Sequence, residues 1–147
     1  MDRFDERILR ELKLNGRLTN VELAERIGLS PSATLRRVQE LERSQVIQGY
    51  RAVLNPIKLG IGFIAYVTIG LSNHSKQSQL DFEAHIMDAK QVTECHNITG
   101  ANEYLLRIET ADLAAYKRFH SDVLGEIPQV NSISTLVVME TPKDQRS

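Results

Sequence analysis

A chain of 147 residues, 41% hydrophobic and 25% charged, has the apolar content of a packed core, which excludes a disordered chain. With 18 Lys+Arg against 19 Asp+Glu the formal net charge is -1, so whole-chain electrostatics make no case for a polyanion or a membrane surface. The single cysteine, Cys95, excludes an internal disulfide and a four-thiolate zinc site and fits a reducing compartment. The opening residues Met1-Asp2-Arg3-Phe4-Asp5 lack the basic start and apolar run of a signal peptide, and the chain is expected in the cytoplasm. Residues 61–71 form the longest apolar stretch; it is broken by Gly62, Thr68 and Gly70 and is too short for a membrane helix of about 20 residues.

Phe4, Ile8, Leu9 and Leu12 recur at helical spacing and predict a first helix ending near Asn15-Gly16, with Gly16 suited to a left-handed cap. Thr19 followed by Glu22 has the spacing of a reciprocal capping box, which starts a second helix with Val21, Leu23, Ala24 and Ile27 on its buried face and Gly28 at its end. Ser30-Pro31 then supplies an N-cap hydroxyl and a first-turn proline for a third helix running to about Arg43. In that helix Leu35, Val38 and Leu41 read as the buried stripe, and Ser32, Thr34, Arg36, Arg37 and Gln39 as the outer face. Residues 46–54 turn β-prone around Gly49, the pattern of a short hairpin or wing. Residues 1–54 hold 10 Lys+Arg against 8 Asp+Glu, a balance of +2, and residues 55–147 hold 8 against 11, a balance of -3.

Asn55-Pro56 and Gly60-Ile61-Gly62 mark a linker at 55–61 between a first domain, 1–54, and a second, 62–147. The second domain reads as strand (63–71), helix (76–88), strand (92–98), turn (100–102), strand (103–109), helix (112–124) and strand (130–139). In the second of these helices Asp112 is the cap, and Leu113, Tyr116, Phe119 and Val123 share one face. The order βαββαβ predicts a four-stranded antiparallel sheet with two helices on one face, the ferredoxin-like arrangement, so the whole is an α+β protein. The uncovered sheet face calls for a second subunit, and a homo-oligomer is expected.

Two helices joined by a tight turn, the second with a polar and basic outer face, match the helix-turn-helix that places its second helix in the major groove of DNA. Arg36 and Arg37 offer forked donors for guanine or phosphate. Ser30 and Ser32 lie at a helix N-terminus that favours a phosphate, Thr34 suits a base edge or a thymine methyl, and Gln39 shares the face. The alternative is that Arg36 and Arg37 belong to a solvated surface and pair with Glu40.

The stretches Leu18-Thr19-Asn20-Val21-Glu22-Leu23-Ala24, Gly28-Leu29-Ser30, Arg37-Val38, Leu41-Glu42 and Val46-Ile47-Gln48-Gly49-Tyr50 resemble the DNA-binding half of the Lrp/AsnC transcriptional regulators. Cys95-His96, Thr99-Gly100-Ala101-Asn102-Glu103-Tyr104-Leu105-Leu106, Ala115-Tyr116, Pro128-Gln129-Val130 and Val137-Val138-Met139-Glu140 resemble that family's regulatory domain. The resemblance covers nearly the whole chain. It implies a winged helix-turn-helix domain joined to a βαββαβ domain that dimerises and builds larger rings, often octamers of four dimers, with an amino acid or related metabolite bound between regulatory domains. The effector residues it implies are Thr99, Gly100, Ala101, Asn102, Glu103 and Tyr104 of the turn, with Ser134, Leu136 and Val137 from the last strand of a neighbouring chain. A glycine turn can offer amides to a ligand carboxylate, and Asn102 or Glu103 can accept from its ammonium. Glu103 stands where the family more commonly has Asp. Gln45 stands where it commonly has Gly, which would alter the angle at which the wing enters.

No metal site, cofactor or enzymatic activity is expected. Cys95 and His96 are neighbours on a strand and point to opposite faces, and His74, His85 and His120 lie far apart in sequence. Gly60-Ile61-Gly62 lacks the third glycine of a dinucleotide fingerprint, and no nucleophile elbow marks a hydrolase. Two other readings stay open: an architectural DNA-binding protein without an effector, and a tetrapyrrole decarboxylase-like enzyme, an activity known among proteins that look like this family.

Overall fold

The computed structural model describes residues 1–146, and the chain divides into two units, 1–53 and 54–146, each with its own apolar core. In the first unit α1 (Arg3–Leu14) begins at a reciprocal capping box. The Asp2 carboxylate accepts from the amides of Phe4 and Asp5, and the Asp5 carboxylate accepts from the Asp2 amide at 3.2 Å. The box expected at α2 (Asn20–Ile27) forms by half: Thr19 Oγ1 accepts from the Glu22 amide at 3.2 Å, with no return bond from the Glu22 side chain. The end of α1 also differs from expectation, because Asn15 is the cap in an extended conformation, φ -150°, and Gly16 is not left-handed. Gly28 does close α2 in the left-handed region, φ 79°, its amide bonded to the Ala24 carbonyl at 2.9 Å.

Ser30 caps α3 (Pro31–Arg43), with Pro31 in its first turn. Ile8, Leu23, Ile27 and Leu41 form the buried centre of the three helices, with Leu9, Leu12, Leu18, Leu29, Val38 and Ile47 packed around it. Burying each of the four centre residues contributes about 2 kcal/mol of transfer free energy. Past α3 the chain turns at Gln45, φ 62°, and no strand forms before Phe63. The hairpin expected over 46–54 is therefore absent. A two-residue hairpin needs a positive φ at its turn, Gly49 does not adopt one, and the apolar residues Val53 and Leu54 stay exposed.

The second unit follows the expected order: β1 (Phe63–Leu71), α4 (Lys76–Met87), β2 (Val92–Asn97), β3 (Tyr104–Thr110), α5 (Leu113–Asp122) and β4 (Val130–Val137). The four strands are ordered β2-β3-β1-β4, and every neighbouring pair is antiparallel. Register places Val67 between Leu106 and Thr135, so alternate residues of these strands share a face. Ala65, Val67, Ile69, Leu106 and Ile108 turn toward Phe82 and Ile86 of α4 and Tyr116 and Phe119 of α5. Leu113, expected on the buried face of α5, is exposed at the first position of that helix.

Among the described residues of this unit no helix covers the opposite face, which carries Ile64, Tyr66 and Thr68 of β1, Leu105, Arg107 and Glu109 of β3, and Ser134 and Leu136 of β4. Arg107 is held there by the Tyr66 hydroxyl at 2.8 Å and the Glu109 carboxylate at 3.2 Å. Beyond β4 the chain continues along β1, with the Val138 amide on the Ile64 carbonyl at 2.9 Å. Arg146 then reaches Glu94 of β2 at 3.0 Å.

Candidate nucleic-acid interface and ligand turn

The connection Gly28-Leu29-Ser30 brings α2 directly into α3, and the outer face of α3 is set by which side chains the core takes. Thr34, expected on the outer face, is 0% exposed; its Oγ1 donates to the Ser30 carbonyl at 2.9 Å. Leu35, expected inside, is 45% exposed. The buried stripe is thus Thr34, Val38 and Leu41, at i, i+4 and i+7, with the Thr34 hydroxyl satisfied by the preceding turn of its own helix. The outer stripe becomes Ser32, Leu35, Arg36, Gln39 and Arg43.

Ser30 spends its hydroxyl on the cap, accepting from the Ala33 amide at 3.2 Å, and its Oγ lies 3.3 Å from Ser32 Oγ. Arg43 is paired with Glu40 through two bonds of 2.9 and 2.6 Å. Among the described residues no hydrogen bond occupies the Arg36 or Gln39 side chain, which leaves both outward and available to a base edge or a phosphate.

Arg37 sits differently from its neighbour. Its Nη1 donates to both Asp2 carboxylate oxygens at 2.8 Å and to Asp5 at 3.1 Å, and its guanidinium lies 5.2 Å from the centroid of the Phe4 ring. The pairing with Glu40 left open by the sequence does not occur for Arg37. The Asp5 amide, and then Arg37, hold the Asp2 carboxyl below the usual carboxylate value. Together Asp5, Arg36, Arg37 and Glu40 line a groove on the surface of this unit.

In the second unit the turn between β2 and β3 passes through Gly100 at φ 113°, with Thr99, Gly100 and Ala101 exposed. Asn102 folds onto the open sheet face, its Nδ2 donating to Thr68 Oγ1 at 3.4 Å and its Oδ1 accepting from Ser132 Oγ at 3.5 Å. Gly70 makes this approach possible, since a Cβ there would strike Ser132 Oγ and lie 3.1 Å from Asn102 Oδ1. Ser134 lies opposite Thr68 and Leu136 opposite Tyr66, so both belong to the same open face; Val137 lies opposite Ala65 and is exposed.

Glu103 is committed to the fold as well as to the turn. Its side chain is 14% exposed, Oε2 accepts from the Leu71 amide at 2.8 Å, and Oε1 meets His74 Nδ1. The β1–β4 register slips between Gly70 and Leu71, so the carboxylate satisfies an amide at that irregularity. Tyr104, expected among the effector residues, is 1% exposed and faces the helices, its ring 4.7 Å from Phe82 and its hydroxyl on Glu83. Burial, and then Glu83, push its phenol pKa up. The alternation of β3, inward at Tyr104 and outward at Leu105, removes Tyr104 from any surface the turn presents. Among the described residues no group of three potential metal ligands comes together. Sequence reasoning missed Leu35, the Asp2 and Asp5 partners of Arg37, and the bond from Glu103 to Leu71; only the Asp2-to-Asp5 spacing carried a signal, that of a capping box.

Residues 1–48 match the family described as winged helix-turn-helix DNA-binding, and residues 64–147 match the Lrp/AsnC ligand binding domain. The leucine-responsive regulatory protein of Salmonella typhimurium is 41% identical over 143 residues, which span 97% of this chain and 87% of that relative. Among solved structures, a transcriptional regulator from Neisseria meningitidis in complex with L-Met is similar at a TM-score of 0.96 and 35% identity, over 100% of this chain and 95% of that one. An AsnC family transcriptional regulator from Agrobacterium tumefaciens is similar at a TM-score of 0.94 and 31% identity, over 100% and 95% of the two chains.

Proposed function

The chain belongs to the Lrp/AsnC family of DNA-binding transcriptional regulators, and from this premise we propose that its DNA affinity is set by an amino acid held between the regulatory domains of neighbouring copies. The relatives from Salmonella typhimurium and Neisseria meningitidis are regulators. In this reading residues 1–54 bind DNA, 55–61 link, and 62–147 bind the effector and assemble the oligomer in the cytoplasm, as a dimer or a ring of dimers up to an octamer. The observation that carries the DNA reading is the outer stripe of α3, where Arg36 and Gln39 have no hydrogen-bond partner among the described residues and follow a capped N-terminus at Ser30. Arg36 suits guanine or phosphate, Gln39 suits adenine, and Ser32 suits a phosphate.

The L-Met complex of the Neisseria relative supports an amino acid as the ligand class. The amides of the exposed residues Thr99, Gly100 and Ala101 would take its carboxylate. Asn102 and Glu103, with Ser134, Leu136 and Val137 of a neighbouring copy, would complete the pocket. Linkage then gives the mechanism: a ligand that prefers one arrangement of copies shifts how paired recognition helices meet successive major grooves about 34–36 Å apart, and DNA shifts ligand affinity by the same factor.

The test is in two parts. Selection of bound duplexes from a random pool is expected to yield one motif, and a thermal-shift screen against the twenty amino acids is expected to yield one ligand that also changes affinity for that motif. Selection without sequence enrichment contradicts the DNA reading, and a flat amino-acid panel contradicts the effector reading.

A further inference from the structure

Leu35 is the fifth residue of α3 and is 45% exposed, in a helix whose apolar contacts to the core are made by Val38 and Leu41. Its neighbours at i-3 and i+4 are Ser32 and Gln39, and Arg36 follows it directly, so one branched apolar side chain stands in the middle of an otherwise polar and basic stripe. Leu35 is the one large apolar residue of α3 that is exposed, too small a patch to seat a second copy of the chain. The N-terminal half of a recognition helix is the part that reaches base edges. In the major groove the one apolar group that distinguishes a base pair is the C5 methyl of thymine.

We propose that Leu35 is a specificity-determining residue that packs against a thymine C5 methyl, flanked by polar contacts from Arg36 and Gln39. The proposal rests on the DNA reading above and deepens it: the sequence pattern assigns that part to Thr34, which the fold buries, and the apolar contact passes to the next residue. Arg36 and Ser32 then place the helix, and Leu35 favours a T·A pair over a C·G pair at one position of each half-site.

The experiment uses the full chain and the duplex obtained by selection, compared with the same duplex carrying deoxyuridine for thymine, which removes only the methyl groups. Wild type is expected to bind the deoxyuridine duplex about fourfold more weakly for each half-site, the factor for one buried methyl-sized group, and so about fifteenfold more weakly as a dimer on two half-sites. Leu35→Ala is expected to bind both duplexes equally, at the weaker affinity, with an unchanged salt dependence because no phosphate contact is lost. Leu35→Met, apolar and of similar volume, is expected to restore most of the difference. Equal sensitivity of wild type and Leu35→Ala to methyl removal overturns the proposal while leaving the DNA reading intact. Absence of any selected duplex overturns both.

Discussion

Arg37 and Asp2, 35 positions apart in sequence, are joined by two bonds of 2.8 Å from one guanidinium nitrogen, tying the start of α1 to the middle of α3. The third bond, to Asp5, comes from the same nitrogen, so Nη1 is saturated and the rest of the guanidinium is held in place. Arg36 has no such tie. The two adjacent arginines are therefore expected to separate by phenotype: Arg36→Ala lowers affinity for the selected duplex by about 1–3 kcal/mol and reduces the salt slope. Arg37→Ala lowers the thermal midpoint and loosens α1 in hydrogen exchange. Equal loss of DNA binding with unchanged stability in both variants would contradict the assignment.

Asp2 provides a pH test of the same tie. Its carboxyl is held below the ordinary value of 3.8, first by the Asp5 amide and then by Arg37, so its contribution is fully present above that value and is lost as pH falls through the lowered folded value. Its NMR titration midpoint is expected below 3.8 in the wild type and higher in Arg37→Ala. A wild-type midpoint at or above the ordinary value would show the ion pair to be absent in solution.

Thr34 is buried with its hydroxyl on the Ser30 carbonyl at 2.9 Å. Thr34→Val keeps the shape and removes that bond, at an expected cost of about 1 kcal/mol in urea unfolding. The selected DNA motif should not change. A changed motif would return Thr34 to the interface.

Gln45 is the one non-glycine residue with a positive φ among the described residues, 62°, and it ends α3 where glycine is the conformationally free choice. Gln45→Gly is expected to stabilise the chain by about 0.5 kcal/mol, the relief of left-handed strain being partly offset by backbone entropy. Destabilisation would mean that the Gln45 side-chain bond to the Glu42 carbonyl, 3.1 Å, outweighs the strain.

Glu103 needs two substitutions to separate its parts. Glu103→Ala leaves the Leu71 amide without its acceptor and is expected to cost about 1–3 kcal/mol in stability. Glu103→Gln keeps a carbonyl acceptor and removes the charge. If the carboxylate meets a ligand ammonium, Glu103→Gln abolishes the thermal shift given by the amino acid while its ligand-free melting stays within a few degrees of wild type. A full ligand shift in Glu103→Gln would restrict Glu103 to the fold.

The sequence carried the architecture through its helix caps and through the alternation of the two central strands. Ser30, Ser75 and Asp112 cap the helices they precede, and the alternation along β1 and β3 fixes which face meets α4 and α5. It carried the site less well, for local reasons. On α3 the choice between Thr34 and Leu35 as the buried residue turns on about 100° of helix phase, and hydrophobicity alone favours the leucine; the core contacts of Val38 and Leu41 share a face with Thr34 at i, i+4 and i+7, and the bond to Ser30 satisfies the hydroxyl that this phase buries. The Arg37 pairing spans two helices and leaves no mark at short spacing. Tyr104 falls within a motif whose first members, Thr99, Gly100 and Ala101, are exposed, and strand alternation separates it from them. The hairpin over 46–54 failed because β-prone composition does not supply the turn geometry that folds a strand back.

Cys95 stands on β2, an edge strand of the sheet, is exposed, and is the only thiol in the chain. Partial desolvation of its sulfur, and then the charge of Glu83, push its pKa above the ordinary thiol value, so alkaline conditions favour its modification. The unmodified protein therefore accepts a single spin label or fluorophore at a defined strand, without substitution. Distances measured between such labels on two copies would report directly how those copies come together when a ligand or a duplex is added.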